Sequence, residues 1–367
     1  MDGVIRKGRL LRKRDSLLRM IAICGELPAQ LAGKVVGSDS YAASLLTGLK
    51  KDGYISARNK DGCRGYVLRE KGRRYILELC REDTAYFLQE SLQTAHVKSE
   101  LEKRVRLHRM SEVWIFFWKM GVRIFRSQKP VWGKGTEKNG VETAVYYGST
   151  EYKNGCDAIK GSRACGVLLS GKSAYVVYNT MEQRMKWVKK LERSMRVWTE
   201  REVLKRGSLQ RADAIILGKN MGFLGEILES DGGIRGELFQ VDEVYERYYY
   251  IPMHEDARLQ VCLLTDTEKR RKWHQFLGNM IFQKKEREYD LCEGYDEHGN
   301  PVYFCYELDM QQLFLIKKEM LWNWNKSGII VCFDYQAEAL KWYFREPVTI
   351  QAVISRKAML FLQEDTK

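Results

Sequence analysis

Two carboxylates in the middle of the sequence are of the type that holds a divalent metal ion. Asp213 lies in an apolar run, residues 212–217, and Glu226 lies in a second run, residues 222–229, after a polar turn. If these runs form a hairpin, the two acids approach each other, and nucleases use such acids to bind Mg²⁺. Those enzymes also place a Lys two residues after the second acid, where this chain has Leu228. The pattern therefore indicates weak metal binding, with weak catalysis or none.

Two other interpretations of this segment stay open. Lys219 in the turn, or Lys160 upstream, would restore the missing cation if either side chain reached the acids. The chain would then be a metal-dependent nuclease with an atypical catalytic Lys, because a cation stabilises the charge that develops on the phosphate. Alternatively, Asp213 and Glu226 are surface carboxylates of an ordinary hairpin. The sequence thus indicates no firm catalytic residue and no firm metal ligand.

A second group of residues has the types that contact DNA. Ser38 and Asp39 are good N-caps, so a helix is expected to begin near Ser40 and to end at Gly53. The helical spacing predicts an inward face of Tyr41, Leu45, Leu46 and Leu49. The predicted DNA contacts are Ser40, Tyr41, Ser44 and Thr47 to base edges, with Lys50 and Lys51 on phosphates. Tyr41 belongs to both groups, since its ring is either buried or turned toward a base.

A hairpin is predicted to follow this helix. Residues 54–57 and 66–68 have the composition of short strands, and the connection between them contains an Asp-Gly pair, which favours a tight turn. Arg58, Lys60 and Arg64 in this connection are expected to contact phosphates, which supply affinity more than sequence preference. The alternative is a solvated loop.

The elements that would position these residues form a winged helix-turn-helix over residues 1–80. Helices are expected over residues 14–24 and 28–36, with a turn at Gly37 before the capped helix. A basic N-terminal arm precedes them and contains Arg6, Lys7, Arg9, Arg12, Lys13 and Arg14. Over residues 1–110, 23 Lys and Arg stand against 13 Asp and Glu, so +10 of the net charge of +14 lies there. This charge favours a polyanionic partner, although the arm could equally be a solubilising tail.

The rest of the chain predicts a helical linker and an α/β domain. Residues 81–125 read as the linker, either packed on its own chain or forming a dimer contact, because their apolar spacing is too irregular for a long coiled coil. Residues 126–367 alternate strand-like and helix-like segments, which gives an α+β or α/β fold class overall. Apolar runs at 174–179, 261–265 and 329–334 each precede a Lys-Trp pair, a recurrence that we interpret as ordinary strand-to-helix connections.

Cysteine use and hydropathy indicate a cytoplasmic protein. The nine cysteines are scattered and include no Cys-x-x-Cys pair, so the sequence predicts neither a zinc site nor a disulfide framework. The apolar run 17–23 is interrupted by Arg19 and lacks a cleavage-like site, which argues against a signal peptide. No membrane-spanning segment is predicted.

The arrangement resembles the replication-relaxation proteins of plasmids and conjugative elements, and the likeness covers most of the chain. It rests on the winged helix around Ser38–Leu68, on Ala212–Ala214 followed by Gly225-Glu226-Ile227, and on residues 261–271. The resemblance implies a restriction-endonuclease-like C-terminal domain of the PD-(D/E)xK type and an accessory role in plasmid relaxation, replication or transfer. The chain departs from that pattern at Ala212, where Pro is usual, and at Leu228.

These features predict a DNA-binding accessory or regulatory protein of a mobile genetic element whose nuclease-like domain does not cut. Its expected partner is double-stranded DNA. The resemblance adds a relaxase or a replication protein, and a homodimer is compatible with the helical segment. Mg²⁺ is the one cofactor that the acids suggest. The competing class is a protein-interaction module in which the winged fold contacts another protein.

Overall fold

The computed structural model describes most of the chain as an α+β protein. It covers residues 5–6, 9–10, 12–91, 93–132, 141–153, 156–171, 173–181, 183–205, 211–233, 236–286, 290–322, 327–345 and 347–363. Helices alternate with one three-stranded and two five-stranded sheets and a two-stranded pair. None of the helices in these ranges combines the length and the apolar character needed to cross a bilayer.

The chain divides into two compact units. Unit 1 contains Met1–Lys134 and Tyr146–Asn154, and unit 2 contains Gly135–Val145 and Gly155–Lys367. The predicted linker, residues 81–125, is therefore part of unit 1 and not a separate connection. The predicted boundary at residue 80 falls inside this unit, because helices after it pack against the first 80 residues.

Unit 1 begins with the three helices and the hairpin that the sequence predicts, together with three short strands that it does not. Its first part contains β1 (Ile5–Arg6), β2 (Arg9–Leu10), α1 (Lys13–Cys24), β3 (Leu27–Pro28), α2 (Ala32–Val36), α3 (Asp39–Lys51), β4 (Ile55–Lys60) and β5 (Cys63–Leu68). β3, β5 and β4 pair in that order as an antiparallel sheet. Of the predicted basic arm, Lys7 and the side chains of Arg6 and Arg9 lie outside the described residues. Lys13 and Arg14 belong to α1.

The β4–β5 hairpin has no long loop at its tip. The strands run six residues each and are joined by Asp61 and Gly62 alone, both with positive φ (49° and 78°). A type I′ turn requires positive φ at both positions, and this turn matches the twist of the flanking strands. Arg58, Lys60 and Arg64 are therefore strand residues, which corrects the predicted connection over 58–65.

Further helices complete unit 1. They are α4 (Glu70–Leu79), α5 (Arg81–Ala85), a π-helical turn (Tyr86–Glu90) and α6 (Leu101–Lys119), followed by the strand β6 (Val141–Gly148), which crosses the boundary between the units, and α7 (Ser149–Tyr152). The buried face of α6 is unusual because it contains charged and polar side chains. Arg104 and His108 are buried there together with Trp114 and Phe117. These buried polar groups need partners, and they find them next to the hairpin.

Unit 2 contains two mixed sheets with the same strand order. Its elements are β7 (Gly166–Gly171), β8 (Ser173–Met181), α8 (Lys189–Leu204), β9 (Ala212–Gly218), α9 (Gly222–Leu228), β10 (Tyr248–Pro252), α10 (Arg258–Thr265), α11 (Thr267–Leu277), β11 (Gln283–Lys284), β12 (Gly294–Tyr295), β13 (Pro301–Phe304), α12 (Met310–Trp322), β14 (Ile329–Phe333), α13 (Ala337–Phe344), β15 (Thr349–Val353) and α14 (Ser355–Gln363). The sheets have the orders β10-β9-β8-β7-β6 and β15-β14-β13-β12-β11.

The two sheets share their strand directions as well. β7 pairs with β8 antiparallel, and β8, β9 and β10 are parallel with one helix in each crossover. In the same way β12 pairs with β13 antiparallel, and β13, β14 and β15 are parallel with one helix in each crossover. The topology is thus repeated along the chain, but not at the positions of the sequence recurrence, since residues 261–265 belong to a helix, α10.

The predicted hairpin over residues 212–229 is wrong. Its first half is the strand β9, whose partners are the parallel strands β8 and β10, and its second half is the helix α9. Phe223, Leu224, Ile227 and Leu228 are buried at i, i+1, i+4 and i+5, a spacing that covers one face of a helix. The glycines at 222 and 225 did not prevent the helix, because its buried face outweighs their low propensity.

Candidate nucleic-acid interface

The helix α3 turns a polar face to solvent. The side chain of Ser38 accepts a hydrogen bond from the backbone N–H of Tyr41, so the N-cap prediction is confirmed. The buried face consists of Ala42, Leu46 and Leu49, with Leu45 half-buried at its edge. The opposite face exposes Ser40, Tyr41, Ala43, Ser44, Thr47, Gly48, Lys50 and Lys51. All six predicted contact residues of this helix are therefore accessible together.

Tyr41 lies on the exposed face and not in the core. Its side chain is 45% exposed, and Ala42 takes the inward position. The ammonium group of Lys13 lies 5.4 Å from the centre of the Tyr41 ring, which makes a cation–π contact. A cation and a polar aromatic ring therefore stand together at the beginning of α3.

The hairpin shows two different faces. Side chains alternate along a strand, so Arg58 on β4 and Cys63 and Gly65 on β5 share one face, and Asn59 and Arg64 share the other. A Cβ atom on Gly65 would lie 2.4 Å from Glu26 Oε1 and 2.9 Å from His108 Nε2. Glycine at this position thus allows the hairpin to lie directly on a buried polar cluster. The other face, with Asn59 and Arg64, and Lys60 near the tip are exposed.

Arg58, predicted to contact phosphates, is held by contacts with the protein itself. Its guanidinium donates a hydrogen bond to the backbone carbonyl of Lys98 and lies 3.8 Å from Glu26 Oε2. Its side chain is 24% exposed. The alternation of β4 turns this residue toward the protein, whereas Lys60 on the same face and Arg64 on the other are exposed near the tip.

A buried ion cluster lies under the hairpin and joins it to α6. Glu26, which follows α1, accepts hydrogen bonds from Arg104 Nε at 3.1 and 3.0 Å and from Arg104 Nη2 at 2.6 Å. Arg104 Nη2 also donates to the backbone carbonyl of Cys63 at 2.8 Å. His108, one turn later on α6, has its Nε2 at 3.0 Å from Glu26 Oε1, and Ser111 donates to the backbone carbonyl of Glu26 at 3.0 Å. One carboxylate therefore holds α6 and the hairpin together.

The charges of this cluster stabilise one another. Burial by itself would raise the pKa of Glu26, but hydrogen bonds from His108 and Arg104, together with the charge of Arg104, lower it to about 2. Hydrogen bonds to Glu26 raise the pKa of Arg104 against the opposing effect of burial. Burial raises the pKa of the Cys63 thiol. The cluster is thus a carboxylate ion paired with a guanidinium ion, beside a thiol that keeps its proton.

The donor atoms of this cluster are also of the types that bind a metal ion. Ligand atoms of Glu26, Cys63 and His108 lie within 4.8 Å of one another, and Cys, His and Glu form a donor set that Zn²⁺ accepts. However, Arg104 occupies both oxygens of Glu26. The Cys63 sulfur lies 3.6 Å from Nδ1 and 3.7 Å from Nε2 of His108, so it is in line with neither ring nitrogen. The arrangement fits a salt bridge better than a metal centre.

Sequence reasoning missed this cluster. Arg104 and His108 stand four residues apart on a predicted helix, which places them on one face. That spacing was the available signal. Their partner Glu26 lies 78 residues before Arg104, and no local pattern connects the two positions.

Asp213 and Glu226 do not form a paired site. Asp213 is the second residue of β9, and α9 begins beyond the other end of that strand, so about 16 Å of strand separates Asp213 from Gly218. Glu226 is exposed and raises the pKa of Tyr250, whose hydroxyl donates to Asn220 at that far end. The two carboxylates are therefore held at opposite ends of the strand, where they cannot share one Mg²⁺.

Neither candidate catalytic lysine supplies a cation to both Asp213 and Glu226. Lys160 pairs with the exposed Asp157 at 2.5 Å in a short 3₁₀ turn. Lys219 directly follows β9, at the end away from Asp213. Burial raises the pKa of Asp213 to about 7, and the charge of Arg247 opposes this effect. Asp213 is thus a buried carboxyl group that holds its proton more strongly than usual.

All nine cysteines have free thiols, and most of them are buried.

Compared with known proteins, this chain matches no family model, no curated protein and no solved structure.

Proposed function

We propose that unit 1 binds double-stranded DNA as a winged helix-turn-helix, with α3 in the major groove and the β4–β5 hairpin as the wing. The observation that carries this proposal is the exposed polar face of α3. Its outer residues are small, hydroxylated or cationic, and small side chains let a helix backbone approach base edges closely.

The wing supports the same function with a smaller set of residues than the sequence suggested. Asn59 and Arg64 are exposed on one face of the hairpin, and Lys60, which pairs with Cys63 and so belongs to the other face, is exposed near the tip. Their types are those that contact phosphates and fix the orientation of a protein on DNA. The buried cluster around Glu26 supports the wing from behind, so the hairpin presents these residues from a fixed base.

The net charge of +14 favours the same partner, because neutralising phosphates releases counterions and supplies affinity for any duplex. We propose an accessory or regulatory role, with unit 2 as a scaffold and not a nuclease. The resemblance to replication-relaxation proteins would place this role in plasmid relaxation, replication or transfer, with a relaxase or replication protein as a second partner. That part rests on the resemblance alone.

Fluorescence anisotropy with the full chain tests the proposal. Labelled duplexes of random sequence measure general affinity, and repeated selection from the same pool identifies a preferred site. The test variant is Lys60→Glu with Arg64→Glu, and the matched control is Lys284→Glu with Lys285→Glu, which changes the same charge on exposed residues of unit 2. Arg58 is left unchanged, because its reversal would place two carboxylates in the buried cluster.

We expect the wing variant to bind duplex far more weakly than the control, with a salt slope smaller by about 2 because two cations no longer neutralise phosphates. Absence of duplex binding at about 50 mM salt would refute the proposal. Equal binding by the two variants would also refute it, and would favour the wing as a contact surface for another protein.

A further inference from the structure

Unit 2 contains an open cavity of about 760 Å³ that the DNA-binding proposal does not use. It lies beside the beginning of β10 and against α11. The residues that line it include Arg247, Arg271, His274, Phe304, Tyr306 and Asp309. Its volume is within the range of sites that bind small organic ligands.

The rim of the cavity is cationic. Arg247, Arg271 and His274 are exposed there, and His274 pairs at 3.5 Å with Glu293, which also lines the cavity. Arg247 donates to the hydroxyl of Tyr249 at 3.2 Å, and Arg271 pairs with the exposed Glu268 at 2.8 Å. A surface pair of this kind contributes little free energy, so a phosphate can replace the carboxylate at small cost. The planar guanidinium fork matches the oxygens of a phosphate group.

The floor of the cavity is aromatic and acidic. Phe304 and Tyr306 are almost fully buried, and the ring of His274 meets that of Phe304 edge to face at 5.2 Å. Glu307 is neutralised by Arg270, whose Nε and Nη2 both lie 2.5 Å from its carboxylate oxygens. Asp309 is 9% exposed and accepts hydrogen bonds from the backbone N–H groups of Tyr248 and Gln311. Aromatic rings and hydrogen-bonding carboxyl groups suit a planar heterocycle with amino groups.

The carboxyl groups at this place hold protons more strongly than usual. Burial raises the pKa of Asp309 to about 6, against hydrogen bonds from Tyr248 and Gln311 and the charge of Arg247. Asp213, just beside it, has a pKa of about 7 for the same main reason. At pH 6 Asp213 is then largely neutral and Asp309 about half neutral, so these two acids only partly cancel the guanidinium groups at the rim. An anion can therefore enter a cavity that also contains acids.

We infer that this cavity binds a mononucleotide, with the phosphate on Arg247 and Arg271 and the base on the aromatic floor. The charged rim suits the phosphate, and the floor of aromatic and carboxyl groups suits the base. The inference is independent of the DNA-binding proposal, because its residues all belong to unit 2.

Isothermal titration of the full chain in the absence of DNA tests this inference. The probes are AMP and CMP, with adenosine and inorganic phosphate as partial ligands. Arg247→Ala and Arg271→Ala are the test variants, and Arg193→Ala is the control because Arg193 is a half-exposed arginine of unit 2 on α8. These are surface changes, and circular dichroism of each variant verifies that the fold is kept.

We expect at least one nucleotide to bind with a Kd below about 1 mM, and each test variant to raise that Kd about 10-fold while the control leaves it unchanged. Adenosine and phosphate should each bind more weakly than the nucleotide, since each makes half of the contacts. No binding by either nucleotide would overturn the inference. So would an unchanged Kd in both variants, or phosphate binding as tight as that of the nucleotide.

Discussion

Glu26 is a single buried carboxylate that contacts Arg104, His108 and Arg58 at once. Its side chain is 1% exposed. A buried ion pair adds little net stability compared with an apolar pair, but removing one partner leaves an uncompensated charge. If the carboxylate of Glu26 is removed, the unpaired charge is the guanidinium of Arg104 on α6, which lies beside β5.

We therefore predict that Glu26→Gln destabilises unit 1 by about 3–5 kcal/mol at pH 7. The matched control is Glu100→Gln, which breaks an exposed pair with Lys103 and should cost under about 1 kcal/mol. Urea unfolding followed by circular dichroism measures both. Equal midpoints for the two variants would show that the cluster does not stabilise the fold.

The pH dependence of this effect has a definite sign. The pKa of Glu26 is about 2 in the folded protein and about 4.3 in an unfolded chain, so its contribution is complete above the unfolded value and is lost as the pH falls toward 2. The difference between the wild type and Glu26→Gln should hence shrink between pH 5 and pH 2. A difference that stays constant over this range would contradict the low pKa.

Among the elements, α3 is the one that the sequence predicted best. Ser38 caps it and Leu46 and Leu49 are buried as expected, because capping and helical spacing are local properties. The exposure of Tyr41 depended on whether Tyr41 or Ala42 turned inward, which helical spacing alone does not decide. The prediction for residues 222–229 failed for a different reason. The Lys-Asn turn and the glycines suggested a hairpin, but the buried face with Phe223 and Ile227 favours the helix α9.

Residues of α3 should divide into two classes by their effect on DNA binding. We predict that Lys50→Ala weakens binding to all duplexes to a similar extent, because a phosphate contact carries no sequence information. Ser44→Ala and Thr47→Val should instead change the preferred site, at about 1–3 kcal/mol for each good hydrogen bond to a base that the substitution removes.

Affinities for the selected site and for a scrambled duplex, measured side by side, separate the two classes. A uniform decrease in all three variants would mean that α3 lies along the backbone and not in the groove. The hydroxyl of Thr47 already donates to the backbone carbonyl of Ala43 at 2.9 Å, so it can only accept from a base. Thr47→Val therefore tests this acceptor alone.

At the scale of the whole molecule, the sequence predicted a mixture of helices and strands but not how they are grouped. Residues 81–125 looked like a linker because their charges are frequent, yet Arg104 and His108 are buried by a partner from the beginning of the chain. The repeated strand order of unit 2 could not be predicted for a similar reason, because strand pairing depends on residues that are distant in the sequence. The Lys-Trp recurrence reflects only local composition, since its apolar runs lie in β8, α10 and β14.

We predict that the protein does not cleave DNA. Asp213 and Glu226 are at opposite ends of β9, and burial of Asp213 keeps its carboxyl group partly protonated near neutral pH. Supercoiled, linear and single-stranded DNA should remain intact with Mg²⁺ or Mn²⁺. An Asp213→Ala variant serves as the control, and cleavage by the wild type that this variant abolishes would make unit 2 an enzyme.

The two-residue turn at Asp61 and Gly62 has a consequence for the thermodynamics of binding. Fixing the backbone of a flexible residue costs about 1–2 kcal/mol in entropy, so a wing that is already ordered to its tip avoids that cost when it meets DNA. Inserting two glycines between Asp61 and Gly62 keeps every charge but loosens Lys60 and Arg64. Calorimetry should then show weaker binding with a more unfavourable entropy, whereas an unchanged entropy would mean that the wing becomes ordered only on the DNA.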